Sequence, residues 1–164
     1  AGSFNAVLSE CGDVTATWVC DQAHHQEVEK LLDPRIRQRV NLVSWGSQDD
    51  LLHIYDEHGI FLFPSYAEGA GKTCLEAMAR GLCTVATDTS GMRDYIQNGK
   101  SGRLIAVGSS AALKDVTLDL LNNYDTCVAF GAAARTQAEQ YSWDKCARGA
   151  VAFYEKVAEK KHQR

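Results

Sequence analysis

The stretch Phe61-Leu-Phe-Pro-Ser-Tyr-Ala-Glu68-Gly-Ala-Gly-Lys-Thr-Cys-Leu-Glu76-Ala-Met-Ala-Arg-Gly81 constrains the fold more than any other part of the chain. Residues 61–63 form a short apolar run ended by Pro64, which predicts an interior strand of a parallel sheet. Gly69 and Gly71 behind it let the backbone turn tightly and approach a ligand. Residues 73–80 have helical composition, with Leu75, Met78 and Ala79 apolar, and Gly81 is placed to stop the helix. A helix that opens behind a glycine loop presents unpaired N–H groups and the positive end of its dipole, so it suits a phosphate. Glu68 falls at the mouth of that loop. Glu76 lies about one turn inside the helix, within reach of a sugar hydroxyl on the same ligand. Two glutamates at this spacing on an exposed helix would mean nothing by themselves; the strand, proline, glycine loop and helix around them give the pair its meaning.

The rest of the chain repeats the alternation. Strands are predicted over residues 15–20, 40–45, 60–63, 84–87 and 103–105. A helix over residues 25–32 ends at Asp33-Pro34, and Ser47-Gln-Asp-Asp50, a capping box with Asp where Glu is usual, opens another to about residue 57. Beyond Ile105 the pattern turns wholly helical, over residues 111–121 and 125–140, and again from an N-cap at Ser142 to about residue 160. Alternating strands and helices imply an α/β fold: a Rossmann-like, doubly wound parallel sheet with extra C-terminal helices. Such sheets bind ligands at the carboxyl ends of their strands, and residues 65–73 lie at one of them.

At 164 residues the chain is one domain with room for a core. Its net charge of −4 leaves no basic footprint over the whole domain and argues against general nucleic-acid binding. Apolar runs are too short to span a bilayer and no signal peptide is read. The basic Lys160-Lys-His-Gln-Arg164 reads as a solvated helix end, so peripheral membrane contact is not indicated. The cysteines Cys11, Cys20, Cys74, Cys83, Cys127 and Cys146 form no C-x-x-C pair and have mostly apolar neighbours. They are expected to be reduced, partly buried thiols of a cytoplasmic protein. His24-His25 is adjacent and His53, His58 and His162 are scattered, so no metal site is expected.

Glu-Gly-x-Gly, Leu-Glu-Ala-Met-Ala-x-Gly, a strand ending Val-Ala-Thr-Asp, and Gly-Met-Arg-Asp-Tyr-Ile-Gln-Asn-Gly-x-x-Gly-Arg-Leu-Ile together resemble the group 1 retaining nucleotide-sugar glycosyltransferases, which have the GT-B architecture. The resemblance runs upstream to Arg39-Val-Asn-Leu-Val-Ser-Trp-Gly and downstream to Tyr141-Ser-Trp-Asp. It implies that residues 1–164 are a single donor-binding domain, one half of a GT-B fold, lacking the N-terminal acceptor domain that would be its partner. The family's domain opens with a central strand, a Gly-Arg turn and a Lys-Gly before a long helix. Here residues 1–4 are either the remnant of that strand or the strand is absent, and the family's phosphate-binding Arg and Lys are not identifiable.

Carried onto this chain, the resemblance makes Glu76 the acceptor of hydrogen bonds from the ribose. Glu68 faces the donor sugar and its anomeric region as the catalytic carboxylate. The N–H groups of Ala70, Gly71, Lys72 and Thr73 meet the sugar and diphosphate, where they stabilise charge on the leaving group. Lys72-Thr73 departs from the family's apolar residue and proline; Lys72 is either a cation beside the diphosphate or a solvated lysine. Val43, Ser44 and Leu51 line a base pocket or belong to the core. No cofactor is implied, the nucleoside diphosphate sugar being a substrate, and the chain alone is expected to be inactive. Two other readings stand beside this one. A P-loop would need glycine at Tyr66 to complete its pattern before Gly71-Lys-Thr, with Asp88 as its candidate magnesium ligand; a catalytically inert interaction domain would keep the same fold.

Overall fold

The computed structural model describes residues 1–162, so the last two residues of the basic tail lie outside the described residues. In chain order the elements are α1 (Gly2–Glu10), β1 (Ala16–Val19), α2 (His25–Leu31), β2 (Val40–Val43), α3 (Gln48–Asp56), β3 (Ile60–Phe63) and α4 (Lys72–Ala79). They continue with β4 (Cys83–Thr87), α5 (Met92–Tyr95), β5 (Arg103–Ile105), α6 (Ser110–Asn122), α7 (Tyr124–Ala138) and α8 (Trp143–His162).

Every strand pairing is parallel, as the alternation predicts, but the strands form two sheets instead of one. β1 pairs with β2, and β3, β4 and β5 pair in that order. Among the described residues no strand stands between β1 and β3; a largely apolar cleft of about 510 Å³ lies there.

Of the two readings of residues 1–4, a strand remnant or an absent strand, the first does not hold. Residues 2–10 form helix α1, which buries Val7 and Leu8. Leu8 packs with Leu32 and Ile36, and Phe4, Val14, Ala16 and Val40 close around them. Arg39 holds the end of this helix. Its guanidinium donates to the carbonyls of Cys11 (2.7 Å), Val14 (3.0 Å) and Leu8. A cation on the orphan carbonyls of a helix C-terminus satisfies both their hydrogen bonding and the dipole.

β4 is the best-covered strand, buried at all its positions. Period-two alternation sends Cys83 and Val85 to one face, against Ile105 and Leu120. Ala86 goes to the other, against Cys74, Met78, Met92, Tyr95, Ile96 and Ala134. Helices on both faces explain why this segment is apolar throughout. α4 ends where Gly81 was predicted to stop it, with Leu82 N–H donating to Ala77 O (3.1 Å) and Gly81 N–H to Met78 O (2.9 Å). That is a Schellman closure. α8 is different: all of residues 142–160 are exposed, including Trp143, Val151, Phe153, Tyr154 and Val157.

Candidate functional site

The loop between β3 and α4 is held from below and open above. The Thr87 hydroxyl, at the end of β4, donates to the Ser65 carbonyl at 2.5 Å. Ser65 Oγ in turn donates to Glu68 Oε1 at 2.8 Å. The strand ends therefore position one oxygen of the carboxylate predicted to be catalytic.

Gly71 is the N-cap of α4, in the left-handed region with φ 55° and ψ 47°. An added Cβ there would lie 2.6 Å from Met92 Sδ, so both backbone and space require glycine. No side chain caps α4. Cys74 N–H already donates to Gly71 O at 2.9 Å, so the N–H groups of the first turn ahead of it are the ones left for a ligand. Gly69 needs no such freedom: its φ is ordinary and a Cβ would meet open space, so of these two loop glycines Gly71 alone requires glycine. The second tight contact comes instead from Gly91, whose Cβ would lie 3.0 Å from Gly69 O and 3.2 Å from Ala70 O. Its own neighbourhood in the sequence carries no signal of this, because the contact joins two separate loops.

Two buried groups report the fields of the two glutamates. Burial first, and then the Glu68 charge, push the Cys74 thiol up to about 12. Burial first, and then Glu76, push the Tyr55 phenol above its usual range. Tyr55 also donates to Thr73 O at 3.4 Å, tying α3 to the first turn of α4. Glu76 lies one turn inside α4, and Glu68 on the loop before it. Tyr55 was not singled out from the sequence; it reads there as one more apolar position of an amphipathic helix.

Lys72 is exposed, with Nζ 5.2 Å from the centroid of the Trp143 ring. This cation–π contact joins the opening of α4 to that of α8. No local spacing connects positions so far apart in the chain. Ser44 and Leu51 line one small hollow between the end of β2 and the start of α3, together with Trp45 and Gly46. Leu51 is also core, packed with Tyr55, Ala77 and Leu82. Val43 pairs with Val19 in the small sheet and does not line that hollow. Ser44 Oγ lies 3.4 Å from His25 Nε2.

Asp88 weighs against a magnesium-dependent P-loop. Its carboxylate accepts from Arg93 Nε at 2.6 Å, and its carbonyl accepts from the same guanidinium at 3.0 Å. A carboxylate turned to its own loop's cation is a poor metal ligand. Among the described residues no group of His, Cys, Asp and Glu is placed to hold a metal ion.

The family model described as "Glycosyl transferases group 1" matches residues 8–137. The sulfoquinovosyl transferase SQD2 of Arabidopsis thaliana is 36% identical over 145 residues, covering 85% of this chain and 28% of that protein. The D-inositol 3-phosphate glycosyltransferase of Corynebacterium urealyticum is 32% identical over 119 residues, covering 73% of this chain and 28% of that protein. The chain thus spans under a third of the length of these two relatives. Sucrose-phosphate synthase from Thermosynechococcus elongatus shares the fold with a TM-score of 0.82 at 19% identity, over 96% of this chain and 42% of the other. HepE of Anabaena, solved in complex with UDP and glucose, does so with a TM-score of 0.72 at 21% identity, over 99% of this chain and 44% of the other.

Proposed function

The chain belongs to the group 1 glycosyl transferases, and from that membership we propose that it is the nucleotide-sugar-binding half of a retaining glycosyltransferase, acting with an acceptor-binding domain outside residues 1–164. The observation that carries the reading is the uncapped start of α4. Gly71 turns it open behind β3, with Glu68 on the loop before it and Glu76 one turn within it. A nucleoside diphosphate sugar has matching parts: a diphosphate for the N–H groups of Ala70, Gly71, Lys72 and Thr73, and ribose hydroxyls for Glu76. Glu68, steadied by Ser65, addresses the sugar. Ser44 at the end of β2 and Leu51 at the start of α3 lie against the base, with Val43 supporting it from β2. UDP bound to the Anabaena neighbour is in keeping with this donor class.

In the transfer step the bond from the sugar's anomeric carbon to the diphosphate oxygen breaks and its electron pair leaves with the diphosphate. The acceptor oxygen bonds to the same carbon on the same face, and its proton passes to the departing phosphate oxygen. Helix N–H groups stabilise the growing negative charge without needing to reorganise. No cofactor or metal enters this scheme. The free thiols suit a reducing compartment, and we place the protein in the cytoplasm.

Calorimetric titration tests the site. UDP or GDP is expected to bind without added metal, and Glu76→Ala is expected to weaken that binding about ten- to a hundredfold, the loss of hydrogen bonds to a charged acceptor. The helix should persist, because alanine is its best former. Unchanged nucleotide affinity in Glu76→Ala would remove Glu76 from the ribose site. Protection from thermal unfolding by magnesium–ATP alone would favour the P-loop reading.

A further inference from the structure

Cys83 opens β4 and Cys127 lies in α7, and their thiols meet. The Cys83 thiol donates a hydrogen bond to the Cys127 sulfur. Cys127 Sγ in turn lies 3.8 Å from the Gly59 carbonyl oxygen, which also accepts from Cys83 N–H at 2.9 Å. One carbonyl thus ties the Cys127 side chain to the Cys83 backbone. The two backbones are close as well. Gly131 stands about one turn beyond Cys127 on the same face of α7, and a Cβ there would lie 3.6 Å from Cys83 N. Cys83 is fully buried, packed with Val85, Ile105 and Leu120, while Cys127 lies half-buried at the edge of that cluster. One sulfur of the pair is therefore sealed in the core and the other is within reach of solvent. The hydrogen bond from Cys83 holds the Cys127 thiol below its ordinary value, against the opposing effect of burial. A thiol that ionises more readily supplies more of the reactive thiolate.

We propose that Cys83 and Cys127 are an oxidisable pair, closed by a hydroperoxide into a disulfide that fastens α7 to β4. The half-buried sulfur reacts first. The Cys127 thiolate attacks a peroxide oxygen and the O–O bond breaks. The departing oxygen takes the proton that the thiol gave up, so with hydrogen peroxide a water leaves and Cys127 becomes a sulfenic acid. The Cys83 sulfur then attacks the Cys127 sulfur and displaces its hydroxyl, which leaves as a second water with the Cys83 proton. Two thiols and one hydrogen peroxide thus give one disulfide and two waters. Thiols already in contact need only a small side-chain rotation to reach an S–S bond of about 2.05 Å. In a reducing compartment such a bond is transient, so the pair responds to oxidant instead of acting as a permanent staple. The bond lies at the start of β4, at the opposite end of the strand from Thr87, whose hydroxyl holds Ser65. Oxidation therefore stiffens the scaffold around the α4–β4 turn and leaves the loop that carries Glu68 untouched. The proposal rests on the fold and is independent of the sugar-transfer reading.

The test treats the purified 164-residue chain with hydrogen peroxide, blocks the remaining thiols under denaturing conditions and maps the peptides by mass spectrometry. The expected result is a Cys83–Cys127 crosslink within one chain, removed by dithiothreitol, and a thermal midpoint about 5–10 °C above that of the reduced chain. Cys127→Ser is expected to form no such crosslink and to show no rise. Cys83→Ala treated in the presence of dimedone is expected to carry the label on Cys127, and the unsubstituted chain far less of it, because Cys83 consumes the sulfenic acid. Where Cys83→Ala does not fold, the map of the unsubstituted chain and the Cys127→Ser result decide by themselves. Recovery of Cys83 and Cys127 as free thiols after the exposed Cys146 has oxidised overturns the proposal. So does a crosslink that joins two chains or that uses another cysteine in place of Cys83. A Cys83–Cys127 crosslink with the midpoint of the reduced chain would overturn the fastening of α7.

Discussion

Lys72 sits between two demands. Its cation at the first residue of α4 opposes the helix dipole by about 0.3–1 kcal/mol, and its contact with Trp143 returns about 0.5–1 kcal/mol. These offset, so Lys72→Ala is expected to leave unliganded stability within experimental error. Binding of nucleoside diphosphate is expected to weaken about two- to fivefold, nucleoside binding less, and the difference to shrink as salt rises. Equal losses for nucleoside and nucleoside diphosphate, by calorimetry, would assign Lys72 to loop shape instead of charge. Asp50 gives a second expectation. Its carboxylate accepts from Ser47 Oγ and Ser47 N, each at 2.8 Å. The hydroxyl first and the backbone second hold it below the ordinary carboxylate value of 3.8. A depressed folded-state value means a contribution that is complete above the ordinary value and lost as pH falls through the folded one. The acid limb of stability against pH should therefore be shallower in Ser47→Ala, as denaturant titrations from neutral pH to pH 3 would show. An identical limb would mean the capping box does not couple to pH. The capping box was readable because all its parts lie within four consecutive residues; the Lys72–Trp143 contact was not, because those residues meet only after α7 has folded back.

Helix α7 shows how closely one element controls another. A Cβ on Gly131 would lie 2.1 Å from Gly81 O and 3.2 Å from Gly81 C, both backbone atoms. Helix propensity favours alanine over glycine by about 1 kcal/mol. A clash with backbone that the Schellman turn already holds cannot be relieved by a rotamer, and overpacking of this kind costs about 1–3 kcal/mol. The clash outweighs the propensity gain, so Gly131→Ala is expected to lower the thermal midpoint. A rise in the midpoint would mean that α7 can move off the α4–β4 turn. Hydrophobic period predicted α7 and β4 as elements; it held no information on which helix would press against which turn. The same limit explains the N-terminus. Residues 1–4 resemble a strand remnant only by analogy with a family, whereas Val7, Leu8 and the Arg39 cap make the segment helical.

At the scale of the molecule, α8 and the open cleft mark what residues 1–164 leave unburied. Trp143, Val151 and Tyr154 fall at helical spacing on a helix exposed throughout residues 143–160, a stripe that suits a packed neighbour. No helix among the described residues is long and apolar enough to cross a membrane. The chain alone is expected to give no product above background with a panel of nucleotide-sugars and simple acceptors; multiple turnovers by the purified 164-residue chain would show that the acceptor site lies within it. The sequence by itself determined most of the elements, though not α1 or α5, the parallel α/β class, the stop at Gly81, and the loop and helix that carry Glu68 and Glu76. Each of these depends on residues a few positions apart, and short-range sterics, period and capping act at that range. Tertiary structure alone decided the division into two sheets, the cleft between β1 and β3, the burial of Leu51, the Asp88–Arg93 pairing and the contact of Lys72 with Trp143. Most of these join distant parts of the chain, and all depend on which surfaces remain after the core has closed, a quantity no local pattern encodes.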